Sequence, residues 1–154
     1  MPLLGQPKQL LKAYKFVVEC DRLGDTRFQK CSQLEREIEV VEYNEGGSLY
    51  PLKDAGRLKF SAVTLTRGLC VQDNALETWF AEVAAAGDDI GGIGDSYKAN
   101  VDIVNLQRDN STGMRWRLFN AWPNKLTIGE WDSASTEVTV AELSLSFDYA
   151  LPVP

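Results

Sequence analysis

The sequence predicts a mainly β fold, a sandwich or barrel of two nearly orthogonal antiparallel sheets, with one flanking α-helix at about residues 73–86. Three observations carry this. Most apolar residues alternate with polar ones at the two-residue period of a strand. In three long alternating runs the apolar phase switches partway along. One stretch alone repeats apolar residues at helical spacing. A slip of one residue moves side chains to the opposite face, so a phase switch marks a bulge or a strand passing between sheets. Three such breaks suit two packed sheets whose strands bend at shared corners better than one flat sheet.

In chain order, residues 1–12 contain Pro2, Gly5 and Pro7 and read as an N-terminal arm. Tyr14, Phe16, Val18 and Cys20 alternate with Lys15, Val17 and Glu19, the pattern of a half-buried strand. Residues 21–26 are a turn with Gly24-Asp25 at its tip. Residues 28–43 are the next strand region, with Ile38 and Val40 on one face and Glu35, Glu37 and Glu39 on the other. Carboxylates on one face raise the question of paired acid catalysis. Neighbours on a strand face stand about 6–7 Å apart, however, and alternation this regular describes a face turned to water.

Residues 42–56 (EYNEGGSLYPLKDAG) exceed the roughly 2–5 residues of a hairpin connection. Leu49, Tyr50, Pro51 and Leu52 form an apolar clump there, amid Gly46-Gly47 and charges. Such a clump gains nothing by standing in water. It docks on a partner, or it folds back over its own core.

Residues 57–67 (RLKFSAVTLTR) form a strand whose apolar phase switches at Ser61-Ala62, from Leu58 and Phe60 to Val63 and Leu65. The switch recurs where Val101 and Ile103 give way to Val104 and Leu106, and where Val138 and Val140 give way to Ala141, Leu143, Leu145 and Phe147. Between these strands Leu76, Trp79, Phe80 and Val83 make the helical stripe, a core or interface face. Asp73 or Asn74 caps the helix, Asn74 with Glu77 resembling a capping box, and Gly87 is the expected residue just past its end. Residues 87–96 (GDDIGGIGDS) lack the G-K-[ST] of a phosphate loop and follow a helix rather than a strand. Asp88, Asp89 and Asp95 lack EF-hand spacing, so the segment reads as a flexible connection.

Residues 98–109 are a strand and 110–113 (NSTG) a tight turn. In the strand that follows, Met114, Trp116, Leu118 and Trp122 share one face and Arg115 and Arg117 the other. These arginines suit a phosphate or a carboxylate, or pair across strands with residues such as Asp102 or Glu137. Trp122-Pro123-Asn124 is expected to stop the strand, since proline lacks an N–H for the ladder. Residues 136–149 give the longest β-rich run.

The 154 residues read as one domain, 1–154, with a formal net charge of −6. That balance argues against wrapping DNA, which takes clustered cations, whereas an acidic lining would let a polyanion pass without sticking. No apolar run approaches the roughly 20 residues of a membrane helix, and the start lacks a secretory signal pattern. Cys20, Cys31 and Cys70 are widely spaced and the chain has no His, so a zinc site is not expected. Packed, reduced thiols in a reducing cytoplasm are. Without His the commonest general base is missing, and neither a G-x-S-x-G elbow nor an S-x-x-K spacing occurs. The expectation is a building block: no catalytic residue, cofactor or metal, and a function that lies in assembly.

Two blocks carry a family resemblance. One is Trp116, Leu118, Asn120, Ala121, Trp122, Pro123 and Lys125, followed by Asp132, Ala134, Ser135, Glu137, Val138, Val140, Glu142, Leu143 and Leu145. The other is R-L-K-F-x-x-V-T-L-T-R-G over residues 57–68, with the L-x-x-W of Leu76 and Trp79 after it. Together, over about residues 14–149, the chain resembles the tail tube proteins of contractile phages and phage-derived contractile injection systems, which share an Hcp-like fold. It departs from the family's pattern near residues 142–145, and at residues 31–34 (CSQL), where S-G-L is common.

The resemblance implies hexameric rings whose inner strands join into one barrel around a lumen, stacked into a hollow rigid tube. Sheath contraction would drive that tube through a target envelope. It implies an inter-ring loop of Tyr43, Asn44, Glu45, Gly46, Gly47, Leu49, Tyr50, Pro51, Leu52 and Lys53 within residues 42–56. Glu35, Glu37, Glu39, Lys59 and Ser61 become candidates to face the lumen, and Leu76, Trp79, Phe80 and Val83 to form the core or subunit-interface helix. Implied partners are further copies, a sheath protein outside, a baseplate hub and tail terminator at the ends, and DNA or protein cargo inside. Synthesis would be in a bacterial cytoplasm and the final place a virion tail or injection particle. A tube-initiating baseplate hub subunit is a variant of this reading. A monomeric ligand-binding β-barrel, stacking ligands on Trp116, Trp122 and Trp131, is the alternative from another class.

Overall fold

The computed structural model of the chain describes residues 9–23, 28–70, 74–88 (backbone only at 87 and 88) and 96–154. Nine strands and one helix follow in order: β1 (Phe16–Glu19), β2 (Lys30–Cys31), β3 (Arg36–Tyr43), β4 (Leu52–Phe60), β5 (Val63–Gly68), α1 (Ala75–Asp88), β6 (Ala99–Leu106), β7 (Thr112–Ile128), β8 (Val140–Ser146) and β9 (Tyr149–Val153). All pairings are antiparallel. Seven strands make one sheet in the order β1-β6-β7-β8-β5-β2, with β9 also on β7, and β3 and β4 make a separate two-stranded ribbon. The fold is thus mainly β with two antiparallel sheets and one helix, and among the described residues no barrel closes.

The corner of the large sheet lies in β7. Its first part pairs with β6 on one side and β9 on the other, and its second part pairs with β8. The expected stop at Trp122-Pro123-Asn124 is therefore corrected: the strand runs straight through. Proline survives there because the register shifts between Pro123 and Lys125, and a bulge does not require every N–H to join the ladder. Asn120 adopts a positive φ of 56° just before it, a conformation asparagine tolerates better than most residues. Its Nδ2 donates to Asp148 Oδ2 at 2.9 Å, which ties the bend to the start of β9.

The phase breaks have different origins. At Ser61-Ala62 the break is a change of sheet, since β4 belongs to the ribbon and β5 to the body. In β6 the register on β7 runs unbroken from Val101 to Asn105, so the break between Ile103 and Val104 is no bulge: Val101 and Val104 lie on opposite faces of the strand and both are buried. At 138–140 it marks the entry into β8, whose Ala141, Leu143 and Leu145 are buried while Val138 lies outside any strand and exposed. The run 136–149 is thereby shortened to β8, and Phe147 and Asp148 link it to β9.

One core joins both parts of the sheet: Val18, Val101, Leu118, Ala121 and Ala150 from one, Val63, Leu65, Ala141, Leu143 and Leu145 from the other. The helix closes it with Leu76 and Trp79, both buried, and Val83 packs partly buried against the cluster. Trp79 Nε1 donates to Tyr97 O at 2.7 Å, satisfying the one polar atom this large side chain takes inside. The helix begins directly after Asn74 and continues through Gly87 to Asp88, one residue past the glycine expected to end it. Asp73, Gly24-Asp25 and most of the 87–96 segment, including Asp89 and Asp95, lie outside the described residues.

Candidate functional site

The feature that stands apart from the core is the β3–β4 ribbon. Every residue from Arg36 to Lys59 is exposed, on both faces and at the tip. The expected loop over residues 42–56 is corrected to a shorter tip, because Leu52 and Lys53 already pair with Tyr43 and Glu42 inside the ribbon. The tip turns through Gly47 at a φ of 85°, where Ser48 N donates to Glu45 O at 3.1 Å. Leu49 is 90% and Tyr50 79% exposed, so the apolar clump does not fold back over the core of its own chain.

The ribbon is fixed at its root. Ser61 N donates to Glu35 O at 3.2 Å, closing the two strands together. Phe60 packs on Phe147 with ring centroids 5.6 Å apart, and the Arg36 guanidinium lies 5.8 Å from the Trp116 ring centre. Beside this junction a groove of about 370 Å³ is lined by Phe16, Leu34, Arg36, Ile103 and Trp116 among others. Beyond the root the ribbon has only itself. Two strands without a covering layer are marginally stable in water, and both outer edges carry unpaired backbone groups.

The five lumen candidates come together on this element. Glu37 lies opposite Lys59 in the register, Lys59 Nζ is ion-paired with Glu39 Oε1, and Glu35 and Ser61 close the base of the same pair of strands. All five are exposed. The helix stripe is different in kind: Leu76 and Trp79 are buried in the subunit's own core, while Phe80 and Val83 are half-buried.

Arg115 and Arg117 do not wait for a phosphate. Arg115 Nη1 donates to Asp102 Oδ2 and to Glu19 Oε2, each at 2.7 Å, and Arg117 Nε donates to Asp102 Oδ1 at 2.8 Å. The register sets Glu19 beside Asp102 and Asp102 beside Arg117, so this is a cross-strand ladder over β1, β6 and β7. Burial of the Asp102 carboxylate opposes its ionisation, but the hydrogen bonds from Arg117 and Arg115 outweigh burial and hold its pKa below the ordinary carboxylate value. Of the two partners the sequence offered, Asp102 is the one used.

Trp116, Trp122 and Trp131 do not converge on one cavity. Trp116 lines the root groove, Trp122 meets Tyr97 edge-on, and Trp131 lies exposed in a separate cleft with Glu130 and Asp132. Among the described residues no group of three acidic, Cys or His side chains is placed to hold a metal. The three cysteines are free. Burial raises the Cys20 thiol and pushes Cys31 up to about 11, whereas Cys70 is exposed, contrary to the packed thiol expected there.

Sequence reasoning missed two residues that shape the ribbon. Arg36 is its anchor over Trp116, and Gly56 sits at its bulge. A side-chain carbon at Gly56 would come within 3.1 Å of Glu39 O and of Val41 Cγ2. The visible signal was the glycine itself inside an alternating run, which commonly marks such a bulge.

The fold recurs in assemblies. A chain from the anti-feeding prophage baseplate, six-fold symmetrised, superposes with a TM-score of 0.78 at 23% identity, covering 96% of this chain and 97% of that one. A chain from the sheath–tube complex of an extracellular contractile injection system in its extended state gives 0.76 at 22%, covering 97% and 93%. Hcp1 from Flavobacterium johnsoniae is more distant, at 0.52 and 9%, covering 90% and 94%. No curated protein matches the sequence. The family of the T4-like virus tail tube protein gp19, however, matches residues 12–150, nearly the whole described body and all of the ribbon. The chain belongs to the T4-like tail tube protein family and is a structural tube subunit.

Proposed function

We propose that six copies form a ring and that rings stack into the hollow tube of a contractile tail or injection particle. The observation that carries this is the ribbon: 25 residues from Arg36 to Phe60 bearing Ile38, Val40, Val41, Tyr43, Leu52 and Leu58 in water, with both backbone edges open. Identical neighbours complete those edges and so remove a surface that would otherwise aggregate. The six-fold symmetry of the similar baseplate assembly supports the ring size.

In the ring, Glu35, Glu37, Glu39, Lys59 and Ser61 face the lumen, and residues 43–53 reach the adjacent ring. A lining in which Lys59 is already paired with Glu39 gives DNA or protein cargo little to adhere to. A sheath surrounds the tube, and a hub and a terminator close its ends. The subunit performs no chemistry of its own; it is made in the bacterial cytoplasm and carried in the finished particle. Light scattering and negative-stain microscopy of the purified protein test this reading. Rings or tubes about one lumen are expected. A monodisperse monomer at all concentrations would overturn it.

A further inference from the structure

The groove of about 370 Å³ beside Arg36 lies in the body of a single chain, and we propose that it binds a small apolar carboxylate of the medium-chain fatty-acid class. The site is built within one chain, so it stands or falls independently of the ring and tube reading.

The groove follows from register. Phe16 stands opposite Asn105, and Ile103 stands opposite both Val18 and Trp116. Residues directly opposite share a face, as do residues two apart along a strand. Phe16, Ile103 and Trp116 therefore form one apolar surface across β1, β6 and β7, while Asp102 and its arginines occupy the reverse of the same strands. Against that surface comes the connection from β2 to β3, which brings Leu34 and Arg36 to the groove. Phe16, Leu34 and Ile103 are half-buried: they pack on the core cluster and still line the groove. Small-molecule sites of ~300–1,000 Å³ are built in this way, from apolar walls and a few polar groups that fix orientation.

Charge selects the head group. The chain carries 22 Asp and Glu against 16 Lys and Arg, yet among the described residues lining the groove none is acidic and Arg36 alone is cationic. Among the described residues no carboxylate is ion-paired with Arg36, whereas Arg115 and Arg117 share Asp102. The Arg36 guanidinium lies 5.8 Å from the Trp116 ring centre. A guanidinium held over an aromatic ring still presents its N–H fork to a carboxylate, which accepts two parallel hydrogen bonds. Phe16, Leu34 and Ile103 offer no side-chain hydrogen bond, and a polar group set among them would lose water without compensation. One carboxylate on a plain aliphatic tail meets both conditions. Because Arg36 is the first residue of β3, such a ligand also ties the ribbon to the body.

Isothermal titration calorimetry of the full chain with decanoate, decanol and decylamine tests the site, each ligand kept below the concentration at which it aggregates. Decanoate is expected to bind saturably, decanol about 10- to 100-fold more weakly for want of the charged hydrogen bonds, and decylamine not at all. Arg36→Gln is expected to lower the decanoate affinity to that of decanol and to leave decanol unchanged, which a collapsed groove would not do. Leu34→Trp, which fills the groove and keeps Arg36, is expected to lose both ligands. Thermal melts report that the variants fold, and the three head groups on the unaltered protein decide without any variant. Equal affinity for decanoate and decylamine, equal decanoate affinity with and without Arg36, binding that survives Leu34→Trp, or no saturable binding would overturn the site. Binding by dissociated subunits that vanishes in rings would make a neighbouring copy the occupant and overturn it equally.

Discussion

Asp102 is a buried charged residue, 7% exposed and held by two guanidiniums. Its folded-state pKa is depressed, so the stability it contributes is present above its unfolded value near ~3.9 and is lost as pH falls through the folded value. Asp102→Asn is expected to cost about 1–3 kcal/mol at neutral pH, from arginine donors left without their acceptor. Melts of the two proteins should converge as the pH is lowered into that acidic window; a constant gap from pH 7 to pH 3 would contradict the assignment. Thiol chemistry gives a second check. With Cys31 raised to about 11 and Cys70 exposed, a maleimide at pH 7 should modify Cys70 well before Cys31, as peptide mass mapping would show. The arginine pair was visible in the sequence as a period-two pattern, but its partner was not. Asp102 and Glu137 fit the pattern equally, and only the β6–β7 register chooses between them.

At the scale of elements, core and ribbon divide the work. Leu143, fully buried in β8, is expected to cost about 2–5 kcal/mol when cut to alanine, read as a lower denaturant midpoint. Replacing tip residues 44–51 by a two-residue Asn-Gly turn should leave the melt of the isolated subunit nearly unchanged, since none of them joins the core cluster, and should abolish tubes. A large fall in the melting temperature of that variant would mean the tip supports its own body. Much of this architecture was legible: the helix stripe, the alternating strands and the break at Ser61-Ala62 all follow from local periodicity. The corner in β7 was not. Pro123 reads locally as a terminator, and only the paired strand β8, with its shifted register, makes a proline acceptable there. The extent of the ribbon was blurred for a similar reason, since Leu52 and Lys53 look like loop until their partners Tyr43 and Glu42 are known.

For the whole molecule, the acidic balance matters outside the ribbon. A sheath held to the tube chiefly by charge should release progressively between low salt and several hundred millimolar, because exposed pairs are screened beyond about 10 Å at 0.1 M. Sheath binding indifferent to salt would argue for an apolar contact instead. Ring contacts made by the apolar ribbon patches should survive the same salt. The central claim is that an element left uncovered in one chain is completed by identical neighbours, and its most direct test is a cryo-electron microscopy reconstruction of the purified protein. The account predicts ribbons 36–60 of adjacent copies lying edge to edge around a lumen, their tips seated on the next ring. A single copy with that ribbon folded against its own body would contradict it.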